Sequence, residues 1–178
     1  MSNWIEPFRN PDVARALADR IRTLGQQLPN RRSDPIRIME VCGSHTMAIA
    51  RYGIRDLLPA SVDLVSGPGC PVCVTDAGYL DTALVMARQG ALVVTFGDLL
   101  NVPSSTLTLG QARAEGARIE VCYSPAEALE WARRAPDREV VFLAIGFETT
   151  IGPVISLVDA ARATGVRNLS LLTAFKRI

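Results

Sequence analysis

The chain has 178 residues, of which 48% are apolar and 21% charged, and its formal net charge is +1. These values indicate a globular protein of one or two domains and exclude a disordered chain. The near-neutral charge gives no reason to expect nucleic acid or an anionic membrane as the main partner. Because no apolar stretch is long enough for a membrane span and the N-terminus lacks the order of a signal peptide, we expect a cytoplasmic protein.

The N-terminal part of the chain is predicted to form one helix and a linker. Residues 10–28 place apolar side chains at helical spacing, and Asn10 before Pro11 suits a helix cap and first turn. Residues 29–34, PNRRSD, are polar. We therefore assign residues 1–34 to an N-terminal helix and linker.

From residue 36 onward, short apolar runs alternate with helical stretches. Alternation at this pitch predicts βα units, and hence an α/β fold of parallel sheets flanked by helices. We expect two small Rossmann-like layers with a seam near Arg118: a first α/β domain at 35–117 and a second, incomplete one at 118–178. The predicted strands are 36–41, 62–67, 91–96, 117–122, 139–147 and 168–175, and the predicted helices are 44–58, 76–89, 106–115, 125–134 and 150–164.

Residues with reactive side chains follow several of the predicted strands. In open parallel sheets, ligands bind beyond the carboxyl ends of the strands. Cys42, the loop GPGCPVC at 67–73, Asp98 and Glu148 all lie at such ends. If the first two strands are neighbours, Cys42 and the cysteines of the loop open onto one crevice.

The stretch MEVCGSHTM, residues 39–47, combines a cysteine with the chain's one histidine. Gly43 allows a sharp turn and Ser44 suits a helix cap, so Cys42 should lie near a helix N-terminus, where a thiolate is favoured. His45, in the first turn, could face the same crevice. The alternative is a buried structural cysteine beside a surface histidine.

The stretch GCPVC places Cys70 and Cys73 three residues apart, ahead of a helix that Asp76 could cap. A Cys-x-x-Cys pair in this position is typical of a redox dithiol, although a tight turn that happens to contain sulfur is also open. Together with Cys42 and His45 the pair could instead build a Cys₃His zinc site. Thiolates suit iron and copper(I) equally well.

Three further residues have weaker indications. Asp98 could orient His45 or accept a proton, or it could cap a turn. Glu148 could reach a ligand in the crevice. Cys122 lies among apolar neighbours and is interpreted as a small buried hydrophobic residue.

Four motifs, MEVCGSHT, GPGCPVCVT, TFGD and GFETT, resemble in their order and spacing the HypD family of NiFe-hydrogenase maturation scaffolds. The resemblance implies a protein that, with HypC-like chaperone and HypE-like cyanide-donor partners, helps to assemble the Fe(CN)2(CO) unit of the hydrogenase. It implies that Cys42 and His45 hold the metal and that Cys70 and Cys73 switch between dithiol and disulfide. Asp98 and Glu148 match family positions near the crevice.

The sequence also departs from the family pattern. Met47 stands where the family usually has a second histidine, and a thioether cannot transfer protons. The cysteines that hold a 4Fe–4S cluster in the C-terminal part of full-length members are absent from this chain. The leading hypothesis is therefore an iron-handling maturation scaffold with thiol redox activity. The alternative is a degenerate or truncated module that docks the HypC-like chaperone without completing the chemistry.

Overall fold

The computed structural model describes residues 9–27 and 34–177 and confirms the α/β class. Apart from Asp34, the linker predicted at 29–34 lies outside the described residues. No helix within this described part is long and apolar enough to cross a membrane. The helices are α1 (Pro11–Gln27), α2 (Gly43–Arg51), α3 (Ile54–Leu57), α4 (Ala77–Arg88), α5 (Leu109–Ala114), α6 (Pro125–Arg134) and α7 (Ile151–Ala163). The strands are β1 (Ile36–Glu40), β2 (Val62–Ser66), β3 (Leu92–Phe96), β4 (Ile119–Cys122), β5 (Val140–Phe147) and β6 (Leu169–Lys176).

The chain divides into two compact units, Met1–Gly69 and Cys70–Ile178. In the first unit, β1 and β2 form a two-stranded parallel sheet in which Glu40 lies opposite Ser66. In the second unit, four parallel strands are arranged in the order β4-β3-β5-β6. The boundary differs from the seam predicted near Arg118, because β3 pairs with both β4 and β5 and therefore belongs to the later strands.

The core of the second unit is built on β5, which is buried along almost its whole length. Alternate residues face opposite sides of the sheet. Val141 and Leu143 belong to the cluster formed with α4 and α5, and Phe142 and Ala144 to the cluster formed with α6 and α7. Each fully buried large apolar side chain contributes about 1.5–3 kcal/mol. A strand covered on both faces in this way fixes where its ends, and the loops that follow, lie.

Three helices of the second unit end in the same way. Gly90, Gly116 and Gly165 follow α4, α5 and α7 with φ of 97°, 99° and 70°, in the left-handed region. After α5, the Gly116 N–H bonds the Arg113 carbonyl at 3.0 Å and the Ala117 N–H bonds the Ala112 carbonyl at 2.9 Å. This Schellman arrangement satisfies the last helix carbonyls and turns the chain into the next strand.

The first unit contains one correction to the predicted elements and one confirmation. The helix predicted at 44–58 is broken into α2 and α3, because Gly53 adopts a left-handed φ of 58° that ends the helical path. Asn10 caps α1 as predicted, since its side-chain oxygen accepts the Asp12 N–H at 2.8 Å.

The glycine that ends α5 provides a test of this turn chemistry. Gly116→Ala should lower the free energy of unfolding by about 1 kcal/mol, because an alanine resists a left-handed backbone. Apart from Gly116 itself, its chain neighbours and the backbone of its own helix, no heavy atom lies within 4 Å of a Cβ built there, so backbone conformation alone causes the loss. Gly116→Asn should cost less, since asparagine adopts this region more readily. Urea unfolding followed by circular dichroism measures both variants, and an unchanged Gly116→Ala midpoint would contradict the assignment.

Candidate functional site

The turn between β1 and α2 holds Cys42 at the amino end of the helix. Cys42 is the residue that precedes the first helical position, and its backbone is extended, with φ −138° and ψ 123°. The helix begins at Gly43, so Ser44 is not the cap that the sequence predicted. Its hydroxyl oxygen instead lies 3.0 Å from the Cys42 sulfur. The serine therefore interacts with the thiol rather than with the helix backbone.

These surroundings favour the thiolate form of Cys42. The pKa of Cys42 is lowered, chiefly by the Ser44 hydroxyl and then by the backbone N–H groups of Ser44 and His45. Partial burial and the negative charge of Glu40 oppose this shift. The side chain is half-buried, and His45 in the first turn of α2 is exposed. A thiol and an imidazole are thus both accessible at the start of one helix.

Glu40, the last residue of β1, organises this turn and was missed by the sequence analysis. One carboxylate oxygen accepts the Cys42 N–H at 3.2 Å, and the other accepts the Thr46 hydroxyl at 2.5 Å. The Thr46 hydroxyl is the main cause of a lowered Glu40 pKa, and the Cys42 N–H and Ser66 add to it. The available indication was an acidic residue at a strand end, two positions before the cysteine.

The end of β2 approaches the same turn. The Gly67 N–H donates to the Glu40 carbonyl at 2.8 Å. A Cβ on Gly67 would lie 2.6 Å from that oxygen, so a larger residue would force the strands apart. The first two strands are therefore neighbours, which is the condition on which the shared crevice depends. Because Cys70 and Cys73 belong to the second unit, the crevice itself stays a prediction.

Cys70 and Cys73 lie in a turn immediately before α4. Their sulfur atoms are 2.9 Å apart, and the Cys73 N–H points at the Cys70 sulfur at 3.3 Å. Asp76 caps α4 as predicted, accepting the Gly78 N–H at 2.7 Å. Two sulfur atoms this close at the start of a helix have the arrangement that supports conversion between dithiol and disulfide.

Asp98 and Glu148 follow the neighbouring strands β3 and β5 and lie at the same edge of the four-stranded sheet. Both are exposed, each in a short 3-10 turn. The predicted contact between Asp98 and His45 would join residues of different units and stays a prediction.

Cys122, which ends β4, differs from the other three cysteines. It is 1% exposed, and burial raises its pKa to about 11. It is the buried apolar residue that the sequence predicted.

Few side chains are placed where they could bind a metal ion together. Within either unit, over residues 9–27 and 34–177, no three His, Cys, Asp or Glu side chains come together as a metal site. The Cys₃His alternative needs residues from both units. In the first unit, Cys42 and His45 are the two soft or borderline donors at the start of α2.

Comparison with known proteins identifies the same family as the four sequence motifs. The sequence profile of HypD, described as the Hydrogenase formation hypA family, matches residues 12–178. The chain is 49% identical over 170 residues to the hydrogenase maturation factor HypD of Azotobacter vinelandii, an alignment that covers 94% of this chain and 44% of that protein. Identity to the factor of the same name from Escherichia coli is 40% over 166 residues, covering 93% of this chain and 44% of that protein.

A third relative, the HypD factor of Cupriavidus necator, is 46% identical over 171 residues, which cover 95% of this chain and 44% of that protein. The chain thus spans less than half the length of the relatives it matches. The match runs through both units and through every motif that carries a candidate site residue. The chain belongs to the HypD family.

Proposed function

We propose that the chain is a scaffold in hydrogenase maturation that binds iron through Cys42 and His45 and helps to assemble the Fe(CN)2(CO) unit. The observation that carries the proposal is the position of the Cys42 thiol at the amino end of α2. Hydroxyl and N–H groups there favour its thiolate form, and His45 lies in the same helical turn. Family membership supports the maturation role.

Two donors from the protein suit a cargo that must be built and then released. A thiolate and an imidazole can both ligate iron and leave its remaining coordination positions to cyanide, carbonyl and a partner protein. Cys42 is half-buried and His45 exposed, so a partner can approach the metal. The iron fragment is the substrate of this assembly.

The thiol pair in the turn before α4 would supply electrons. Formation of the Cys70–Cys73 disulfide would release two electrons and two protons, which the assembly of the iron fragment would consume, and an external thiol reductant would restore the dithiol. The 2.9 Å separation of the two sulfur atoms supports this role, since little movement is needed to join them. Asp98 and Glu148 are proposed to line the site where the fragment is assembled.

The proposed partners are a HypC-like chaperone and a HypE-like cyanide donor. The support for them is the family resemblance of the motifs around Cys42 and Cys70. The alignment covers 44% of the Azotobacter vinelandii relative. The complete assembly reaction is therefore proposed for a protein of that full length.

Met47 favours a second candidate function, a module that docks the chaperone without completing the chemistry. Its side chain is 71% exposed, two residues beyond His45. A histidine there could move a proton at the start of α2, whereas a thioether cannot. The two functions differ in whether purified complexes carry iron with its diatomic ligands.

The metal-ligand role of Cys42 can be tested in the chain purified without oxygen together with its HypC-like chaperone. Iron content and infrared bands in the CN and CO stretching region are measured. Cys42→Ala should lose iron and bands together, because it removes the thiolate donor. The matched control is Cys122→Ala, which removes a buried sulfur from the other unit and should retain both.

The outcomes separate the candidate functions. Iron with diatomic bands supports the scaffold, and a complex without bands supports the docking module. Unchanged iron content in Cys42→Ala would exclude Cys42 as a ligand. Zinc in equal molar amount without either band would support the Cys₃His alternative.

The redox role proposed for Cys70 and Cys73 predicts a change in thiol count. Mild oxidation should remove two titratable thiols from the chain through an intramolecular disulfide. Cys70→Ser should abolish that loss, whereas Cys42→Ser should leave it in place. If oxidation leaves every thiol titratable, the dithiol assignment is wrong.

The surroundings of Cys42 and Cys122 predict different reactivities. At pH 8 a thiol of pKa about 11 is only about 0.1% thiolate, and Cys122 is also shielded from solvent. Iodoacetamide should therefore label Cys42 and spare Cys122 in the folded chain, as peptide mapping by mass spectrometry would show. Unfolding in urea should expose Cys122 to the reagent. Equal labelling of the two in the folded chain would contradict the described burial.

A further inference from the structure

A pocket of about 470 Å³ opens at the edge of the four-stranded sheet where β3 and β4 begin. This edge is opposite to the one that carries Asp98 and Glu148, because those residues follow the ends of parallel strands. The pocket is strongly basic and has one aromatic side chain. Its charged and aromatic lining residues are Arg113, Arg118, Arg134, Arg138, Glu120 and Trp131, and together they define the arginine pocket.

The fold brings these arginines together from separate elements. Arg113 and Arg134 lie in the last turns of α5 and α6, and Arg118 lies just before β4. Each of these helices is followed by a strand of the parallel sheet, so its C-terminal end reaches the edge where strands begin. The sequence shows the same residues as scattered cations.

The arginines are only partly neutralised by their neighbours. Arg113 pairs with Glu120 at 3.2 Å, and the guanidinium of Arg134 lies 5.7 Å from the centre of the Trp131 ring. Arg138 donates to the Gly90 carbonyl at 3.1 Å. Arg118 makes no ion pair or side-chain hydrogen bond with the residues that the structure describes.

The charge balance of the pocket remains positive when the backbone is included. Four guanidinium groups face one carboxylate, which leaves three positive charges among the lining residues. The C-terminal ends of α5 and α6 each add about half a negative charge, so about two positive charges remain. An anionic ligand would therefore be attracted.

We propose that the arginine pocket binds an acidic segment of a partner protein. Compact phosphates are usually bound by backbone N–H groups at helix N-termini, whereas the helices that reach this pocket, α5 and α6, present their C-terminal ends. Guanidinium groups spread over several elements suit carboxylates spaced along a peptide, each of which can accept two hydrogen bonds from an arginine. Tryptophan and arginine are also the residues most enriched at the energetic centres of protein interfaces.

The neighbouring residues Arg133 and Arg134 provide a matched pair for the test. Both are exposed on the last turn of α6, but Arg134 lines the pocket and Arg133 pairs with Glu130 at 2.8 Å outside it. The full chain is titrated at low salt against a fluorescein-labelled peptide of consecutive glutamates, and anisotropy gives the dissociation constant. Arg118→Ala and Arg134→Ala should each weaken binding about three- to fivefold, because each removes one exposed charge contact. Arg133→Ala should leave the affinity unchanged.

Several results would overturn the proposal. An equal loss in Arg133→Ala would show attraction to general surface charge rather than to the pocket. Undetectable binding of the peptide by the wild-type chain would exclude an acidic-segment site. Displacement of the peptide by pyrophosphate at a lower concentration than by unlabelled peptide would assign the pocket to a phosphate-bearing ligand. An unlabelled poly-glutamine peptide of equal length, which carries no charge, should not compete.

Discussion

The hydrogen bonds that Glu40 accepts hold the turn between β1 and α2 in one conformation, and the chemistry proposed for Cys42 depends on that turn. One carboxylate joins the Cys42 N–H to the Thr46 hydroxyl, one turn further along the helix. The backbone carbonyl of the same residue receives Gly67 from the end of β2. Glu40 therefore ties together both loops at the carboxyl edge of the small sheet. The negative charge of Glu40 also raises the pKa of Cys42, whereas Ser44 and the helix N–H groups lower it. The lowering effects are the larger ones.

In the second unit, the parallel sheet places two candidate site residues and the arginine pocket at opposite edges. Every strand ends at one edge, where Asp98 and Glu148 follow β3 and β5, and every strand begins at the other edge, where the arginine pocket lies. Helices that return antiparallel to the strands carry arginines in their last turns, which also suits the helix dipole. A protein that docks at the arginine pocket would leave the edge with Asp98 and Glu148 accessible. The proposed roles of these residues in assembly and of the pocket in partner recognition would then use opposite edges of one sheet.

Much of the fold could be predicted because hydrophobic periodicity is a local property. The apolar runs and helical spacings give all six strands of the described residues, and α1, α4, α5, α6 and α7 agree with their predicted positions within a few residues. The break at Gly53 escaped prediction because apolar spacing continues across a glycine whatever its backbone angle. Ser44 was misassigned for a related reason. A serine after Cys-Gly suits a cap by residue type, and only the observed start of α2 shows that its hydroxyl contacts sulfur instead.

The sequence by itself determined the α/β class, the family and the choice of Cys42, His45, Cys70 and Cys73 as candidate site residues, because these depend on short patterns of residue type. Tertiary structure decided the rest. The assignment of β3 to the second unit follows from its pairing with β4 and β5. The contact of Gly67 with Glu40 and the gathering of four arginines join residues that are far apart along the chain. Such contacts depend on which strands pair and where helices end, and strand order is set by packing of the whole core rather than by any local run of residues.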